Sequence, residues 1–465
     1  MTEPDAASTR DRDPRAGLRT GNVSWYESDR VLPRRFIRPF LRFMRSDPAP
    51  ATAMTAAAVV AFVWANSPWH GSYAALWSTP VVVALGTHFS FDLTLQATVN
   101  DAAMTLFFLL VGIELKTEAV QGHLRHLRAA LLPVSAALGG MIVPAVLYLA
   151  VNAGTPGVRG WGIPMATDIA FAVGVISLLG SRISKGARVF LLTLAIVDDI
   201  GSILVISAFY AHHLKLTWLV VGLLALGAVL VLRRADVQSL VPYTAIGIIA
   251  WFGLYEAGVE PAIVGAAFGL LTPLKALHPS DSLTGTVTTF AKRADRALQS
   301  GPERAGDAAA ALIGLDTFVT QATPPAWRIQ HRLVLWVNLA VLPLFALANA
   351  GVRLAGVRLD VRIFFGTLLG LVLGKVVGVT VFSGAGSRFF HHPLPGRMSG
   401  VELATVGTTA GIGFSVALFI ATLAFDSPDL AASARLGVLA ATVLAGGLSL
   451  AVGVAVDRAS RRSTR

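Results

Sequence analysis

Along the chain, uncharged runs of roughly 20 residues alternate with short breaks rich in Gly, Pro and charge. Each run has the length an α-helix needs to cross a bilayer. About twelve such runs can be read, starting near residues 51, 97, 129, 161, 188, 217, 240, 258, 328, 363, 399 and 431. Between the first two, TPVVVALGTHFSFDLTLQATV changes rhythm. Phe89, Phe91, Leu93 and Leu95 alternate with Ser90, Asp92 and Thr94 after the turn signal Gly86-Thr87, which predicts a β-hairpin over 80–97. A lone hairpin is marginally stable in water, so it could pair with a second copy of the chain as a homodimer contact. The pattern as a whole predicts an all-α polytopic membrane protein of about 12 transmembrane helices with a small extracytoplasmic β-hairpin.

Composition agrees, with 54% hydrophobic and only 14% charged residues. Residues 1–50 are polar and Arg-rich, without the apolar core of a signal peptide, and include the basic stretch RRFIRPFLRFMR from Arg34 to Arg45. They read as a cytoplasmic arm ahead of a membrane domain over 51–456. A linker over 277–328, favoured over a folded domain and able to hold one short surface helix, interrupts that domain, and a basic tail follows over 457–465. Placing the N-terminus inside puts most of the 38 Lys and Arg on the cytoplasmic face, and an even number of spans brings the C-terminus there too. The net charge of +11 then finds its partner in anionic membrane lipid, and nucleic acid is not needed to explain it. Without cysteine, disulfide and thiol chemistry are excluded.

Polar groups inside the apolar runs carry the functional information. In LAIVDDIGS, Asp198 and Asp199 sit in the middle of an uncharged run from Val189 to Tyr210. One charge at such a depth costs about 2.5–3.5 kcal/mol on insertion scales, so stability alone would not retain two. Neighbouring helical residues diverge by about 100°, so the pair cannot chelate as equals; one ligand and one proton-linked partner suits them better. In GIPMATDIAFAVGV, Thr167 and Asp168 follow Pro164, reading either as a kink capped by Asp168 or as a broken helix lining a site. Glycines 366, 370, 374 and 378 form a packing stripe beside Lys375, which is too deep to snorkel and should have a buried partner. In ATVGTTAGIGFSVALF, glycines and hydroxyls suggest unwound backbone. Asn100 and Asp101 read as an N-cap, and Glu114 and Glu118 share one face near the cytoplasmic end of their run.

Interrupted spans at corresponding places in two halves point to a secondary transporter with inverted repeats, the runs from 129, 161 and 188 matching those from 363, 399 and 431. The stretches NDAAMTLFFLLVGIELKTE, ATDIAFAVGV, FLLTLAIVDDIGSILVI, LPLFALANAGV, GKVVGV and GTTAGIGFSVALFIATLAF, in this order, resemble the NhaA-type sodium/proton antiporter family. The inverted repeat is itself an attribute of that family, so the two readings are not independent.

The resemblance implies two broken helices that cross. It also implies that Asp168 offsets their partial positive ends and Lys375 the negative ones. By the same resemblance Asp199 is the main cation ligand, and Asp198 is its partner, proton carrier and ion-pair mate of Lys375. Thr167 stands beside the site, and Glu114, with Glu118 below it, lines a cytoplasmic funnel. The implied activity is exchange of cytoplasmic Na⁺ or Li⁺ for external H⁺ across a bacterial plasma membrane. The ions are substrates, and neither cofactor nor enzymatic chemistry is expected. The chain departs from the family at RIQHRLVLW, where Gln330 and His331 replace an acidic-histidine cluster associated with pH sensing, and at Glu260-Pro261. A sodium-coupled solute symporter is the first alternative. An intramembrane aspartyl protease is the second, although its GxGD loop is absent.

Overall fold

The structure is a computed structural model. It describes residues 46–463, apart from 86–88, 126, 211–213, 238, 277–282, 301, 392–393 and 395–397, together with residues 35 and 44. Most of the basic N-terminal arm therefore lies outside the described residues, as does the turn at Gly86-Thr87.

Helices dominate. Among the described residues seven are long and apolar enough to cross a membrane, or up to ten if each of three bent pairs is one span. The first bent pair is α1 (Ala49–Ala65) and α2 (His70–Trp77), turned by 116°. Strands β1 (Pro80–Leu85) and β2 (Phe89–Thr94) follow as the expected antiparallel hairpin, in register from Pro80 opposite Thr94 to Leu85 opposite Phe89. Next come α3 (Leu95–Gln121) and α4 (Leu127–Asn152). A second bent pair joins a 3₁₀ arm, Pro156–Met165, to α5 (Ile169–Leu179) at 46°. After α6 (Lys185–Phe209) and α7 (Leu216–Arg234) lie the shorter α8 (Leu240–Glu256) and α9 (Ala262–Leu271). The second half contains α10 (Leu283–Gln299), α11 (Ala305–Ala322), α12 (Pro325–Asn349) and α13 (Val361–Phe389). The third bent pair, α14 (Gly400–Ala410) and α15 (Phe414–Ala424), turns by 44°, and α16 (Pro428–Ser463) ends the chain. Helix starts fall within a few residues of the twelve expected. The helix through the C-terminal run continues to Ser463, into the stretch read as a tail.

Two expectations change. Asn100 and Asp101 are not an N-cap: Thr94 caps α3 by accepting the Ala97 amide at 3.1 Å. Asn100 lies one turn inside the helix, in a π turn over Val99–Ala103, and accepts a 2.7 Å hydrogen bond from Asn349 of α12. The 277–328 stretch holds two helices instead of one. α10 and α11 pack on one another through Ala294, Ala297, Ala308, Ala311 and Phe318, all buried. Polar residues between these small contact positions keep the stretch from standing out by hydropathy, while the contacts recur at helical spacing.

Glycine decides how α13 packs. The stripe lies along α4: a Cβ at Gly378 would collide with the Gly139 carbonyl, and one at Gly374 would stand 2.7 Å from Pro144 Cα. At Gly370 it would stand 2.7 Å from Pro164 Cβ in the 3₁₀ arm. Backbones that touch leave no room for side chains. Gly378→Val should therefore lower stability by about 3 kcal/mol or more. Gly384→Val, at a glycine of the same helix with open space around it, should be nearly neutral. Thermal melts of the two purified variants check this, and equal melting temperatures would remove close backbone packing as the stripe's purpose.

Candidate functional site

The breaks in the second and third bent pairs are joined to one another. The Asp168 amide donates to the Ile412 carbonyl at 2.6 Å, and the Ser415 amide donates to Asp168 Oδ2 at 2.9 Å. Asp168 Oδ1 accepts the Phe171 amide at 3.0 Å, so this carboxylate caps α5 as its own N-cap and reaches the first turn of α15 as well. Both readings of Asp168 hold together, the local cap and the interrupted helix. Amides at helix starts carry partial positive charge, and one buried carboxylate here answers two of them.

Lys375 serves the opposite ends. It follows a π turn over Gly370–Gly374, is fully buried, and donates to the Met165 carbonyl at the end of the 3₁₀ arm. Its ammonium also donates to Thr167 Oγ1 at 3.1 Å and forms an ion pair of 2.5 Å with Asp198 Oδ2. Thr167 Oγ1 lies 2.8 Å from both Asp198 Oδ2 and the Ala410 carbonyl, its one proton available to either. Lys375, Thr167 and Asp198 thus form one network that touches the C-terminal ends of the first arms of both broken helices.

Asp199 differs from all of these. It is completely buried on α6, and neither carboxylate oxygen has a hydrogen-bond partner among the described residues; the second oxygen of Asp198 has none either. Three carboxyl groups, Asp168, Asp198 and Asp199, and the Lys375 ammonium are fully or almost fully buried here, and the ammonium pairs with Asp198. A bare buried charge costs several kcal/mol, so Asp199 demands a proton or another cation. Oxygen donors of this kind suit a hard cation, whereas a transition metal would call for nitrogen or sulfur.

The family model for Na⁺/H⁺ antiporter 1 matches residues 41–452. The chain belongs to this antiporter family. Among its relatives, a Na⁺/H⁺ antiporter NhaA 2 of Sorangium cellulosum is 43% identical over 92% of each chain. A protein of the same name from Myxococcus xanthus is 42% identical over 90% of this chain and 89% of its own. One from Pseudomonas putida F1 is 39% identical over 91% and 94%.

The remaining antiporter-like residues divide into two groups. Glu114, on α3, lies in the neighbourhood of Asp199, and the Gln330 side chain of α12 lies beside its carboxylate. Residues 114 and 330, assigned separately to a funnel and to pH sensing, are therefore neighbours. Glu118 lies one turn farther, folded over Gly122 at the helix end. His331 is exposed and shares with Gln330, Thr117 and Arg328 a surface cavity of about 680 Å³. Among the participants not singled out from sequence are the Met165 carbonyl, the Ser415 amide and Asn349. For the first two no side chain could have given a signal, because the backbone supplies the contact.

Proposed function

We propose that this antiporter exchanges one Na⁺, or alternatively Li⁺, from the cytoplasm for external protons at the Asp198–Asp199 pair. A single observation carries the reading: a fully buried carboxylate with no hydrogen-bond partner at either oxygen among the described residues, beside a second whose charge is already answered by lysine. Asp199 acts as the principal ligand. Asp198, tied to Lys375 and Thr167, carries a proton in one half of the cycle and its ion pair in the other. Because the pair cannot be bare, occupation by the metal ion and occupation by protons exclude one another. If two protons replace one ion, each turnover moves net charge, and an inward proton-motive force expels Na⁺.

The arrangement in the membrane is part of the proposal. Adding α8 and α9 to the seven long helices and three bent pairs makes twelve spans, with both termini cytoplasmic. In this reading α4, the 3₁₀ arm with α5, and α6 form one repeat, and α13, the pair α14 and α15, and α16 the other; the similar bends of 46° and 44° support it. Alternating access then comes from rocking one helix bundle against the other around a fixed site. Glu114 and Glu118 line the inner approach, and Gln330 with His331 tunes its response to pH. The hairpin joins two copies, and native mass spectrometry in lipid should find a dimer that is lost when 80–94 is replaced by a short linker.

The deciding experiment adds Na⁺ or Li⁺ to everted vesicles holding a preformed pH gradient. Dissipation by both ions, repeated across external pH, is the expected outcome; no response to either ion at any pH would refute exchange. A solute symporter would instead take up a labelled solute with Na⁺.

A further inference from the structure

The hydroxyl of Ser202 has no partner among the described residues. On α6, Thr193 donates to the Val189 carbonyl at 3.0 Å and Ser207 to the Ile203 carbonyl at 2.7 Å, the ordinary fate of a hydroxyl inside a helix. Ser202 lies between them with the same local choice. Yet its Oγ makes no hydrogen bond among the described residues, although the residue is completely buried. A helix turns about 100° per residue, so with Asp198 at zero, Asp199 stands near 100° and Ser202 near 40°, one turn farther along. Ser202 is therefore between the two aspartates on one face. The flank away from them, at Gly201, is closed by Met141. Four oxygens without a hydrogen-bond partner among the described residues, both of Asp199, Oδ1 of Asp198 and Oγ of Ser202, belong to this single face.

We propose that Ser202 is a ligand to the transported ion, its hydroxyl oxygen supplying a neutral donor beside the two carboxylates. An alkali cation held in a dry site needs several oxygens, and two diverging carboxylates cannot surround it. Residues three apart on a helix are close enough for Asp199 and Ser202 to hold one ion together. A neutral donor adds to the shell without adding to the charge that protons must answer, so it strengthens ion binding more than it strengthens proton binding. This inference rests on the assignment of Asp199 as the principal ligand.

The test uses the full chain, purified for calorimetric titration with NaCl or LiCl and reconstituted for exchange. Ser202→Ala should raise Kd and KM for Na⁺ and Li⁺ about tenfold, a loss of about 1.4 kcal/mol, with a much smaller change in maximal rate. Ser202→Cys keeps the shape and removes the hard oxygen, so it should lose affinity too, and it keeps the test decisive if the alanine variant does not fold. Ser202→Thr, which retains the hydroxyl, should recover most of the affinity. Folded Ala and Cys variants that bind both ions as the parent does would overturn the proposal. Asp199→Asn, run alongside, separates the two readings: if it binds Na⁺ normally the underlying site is misplaced, and if it alone loses binding only Ser202 is.

Discussion

Asp199→Asn should abolish Na⁺- and Li⁺-driven proton movement while leaving the protein folded. The amide keeps the shape of the side chain but can neither neutralise a buried cation nor trade it for a proton. Its fold should survive because Asp199 makes no hydrogen bond that the substitution could break among the described residues. Removing an unanswered buried carboxyl should even leave the empty protein slightly harder to melt. A second readout is independent of transport: ligand at a hundred times its Kd stabilises a folded protein by about 2.7 kcal/mol, and the variant should lose this Na⁺-dependent gain entirely. Full exchange in proteoliposomes, or an undiminished Na⁺-induced rise in melting temperature, would disprove the role given to Asp199.

The second large effect is on stability. Lys375→Ala strands Asp198: among the described residues one of its oxygens lacks a partner and the other keeps only the Thr167 hydroxyl. It also leaves the Met165 carbonyl without its donor. Removing one member of a buried pair typically costs about 3–5 kcal/mol, more than the pair contributes when intact, because an uncompensated charge stays behind. The double variant Lys375→Ala/Asp198→Asn should therefore melt above the single one, even though it carries one more change. If the two melt together, the destabilisation belongs to lost packing of the lysine stem and not to the stranded carboxylate.

Helix starts, both interruptions and the Asp pair could be read from the sequence because charge, glycine and proline are conspicuous against an apolar background. The glycine stripe was readable for the same reason, down to its purpose. Partners were harder. That Asp168 reaches Ser415 and Lys375 reaches Met165 depends on segments some 210 to 247 residues apart. Local spacing holds no trace of such contacts. The π turns at Val99–Ala103, Val337–Val341 and Gly370–Gly374 leave no periodic mark either, since each is a single turn within a longer helix. The same limit explains Asn100, whose position near the start of its run suggested capping and whose actual partner is Asn349. Ser202 was a different omission: it stood in the quoted stretch, but a serine in a helix is normally satisfied by its own backbone, and only coordinates reveal one that is not.

The π turn ahead of Lys375 carries a consequence for phasing. An i to i+5 hydrogen bond encloses one residue more than an α turn, so the helix beyond Gly374 is rotated by about 100° against the helix before Gly370. Removing one residue between Gly370 and Gly374 would restore an unbroken α-helix of almost the same composition and hydropathy. It would also swing the ammonium a quarter of a turn away from Asp198 or force the glycine stripe off α4. α13 must aim a charge and present a smooth face at the same time, and one surplus residue lets it satisfy both.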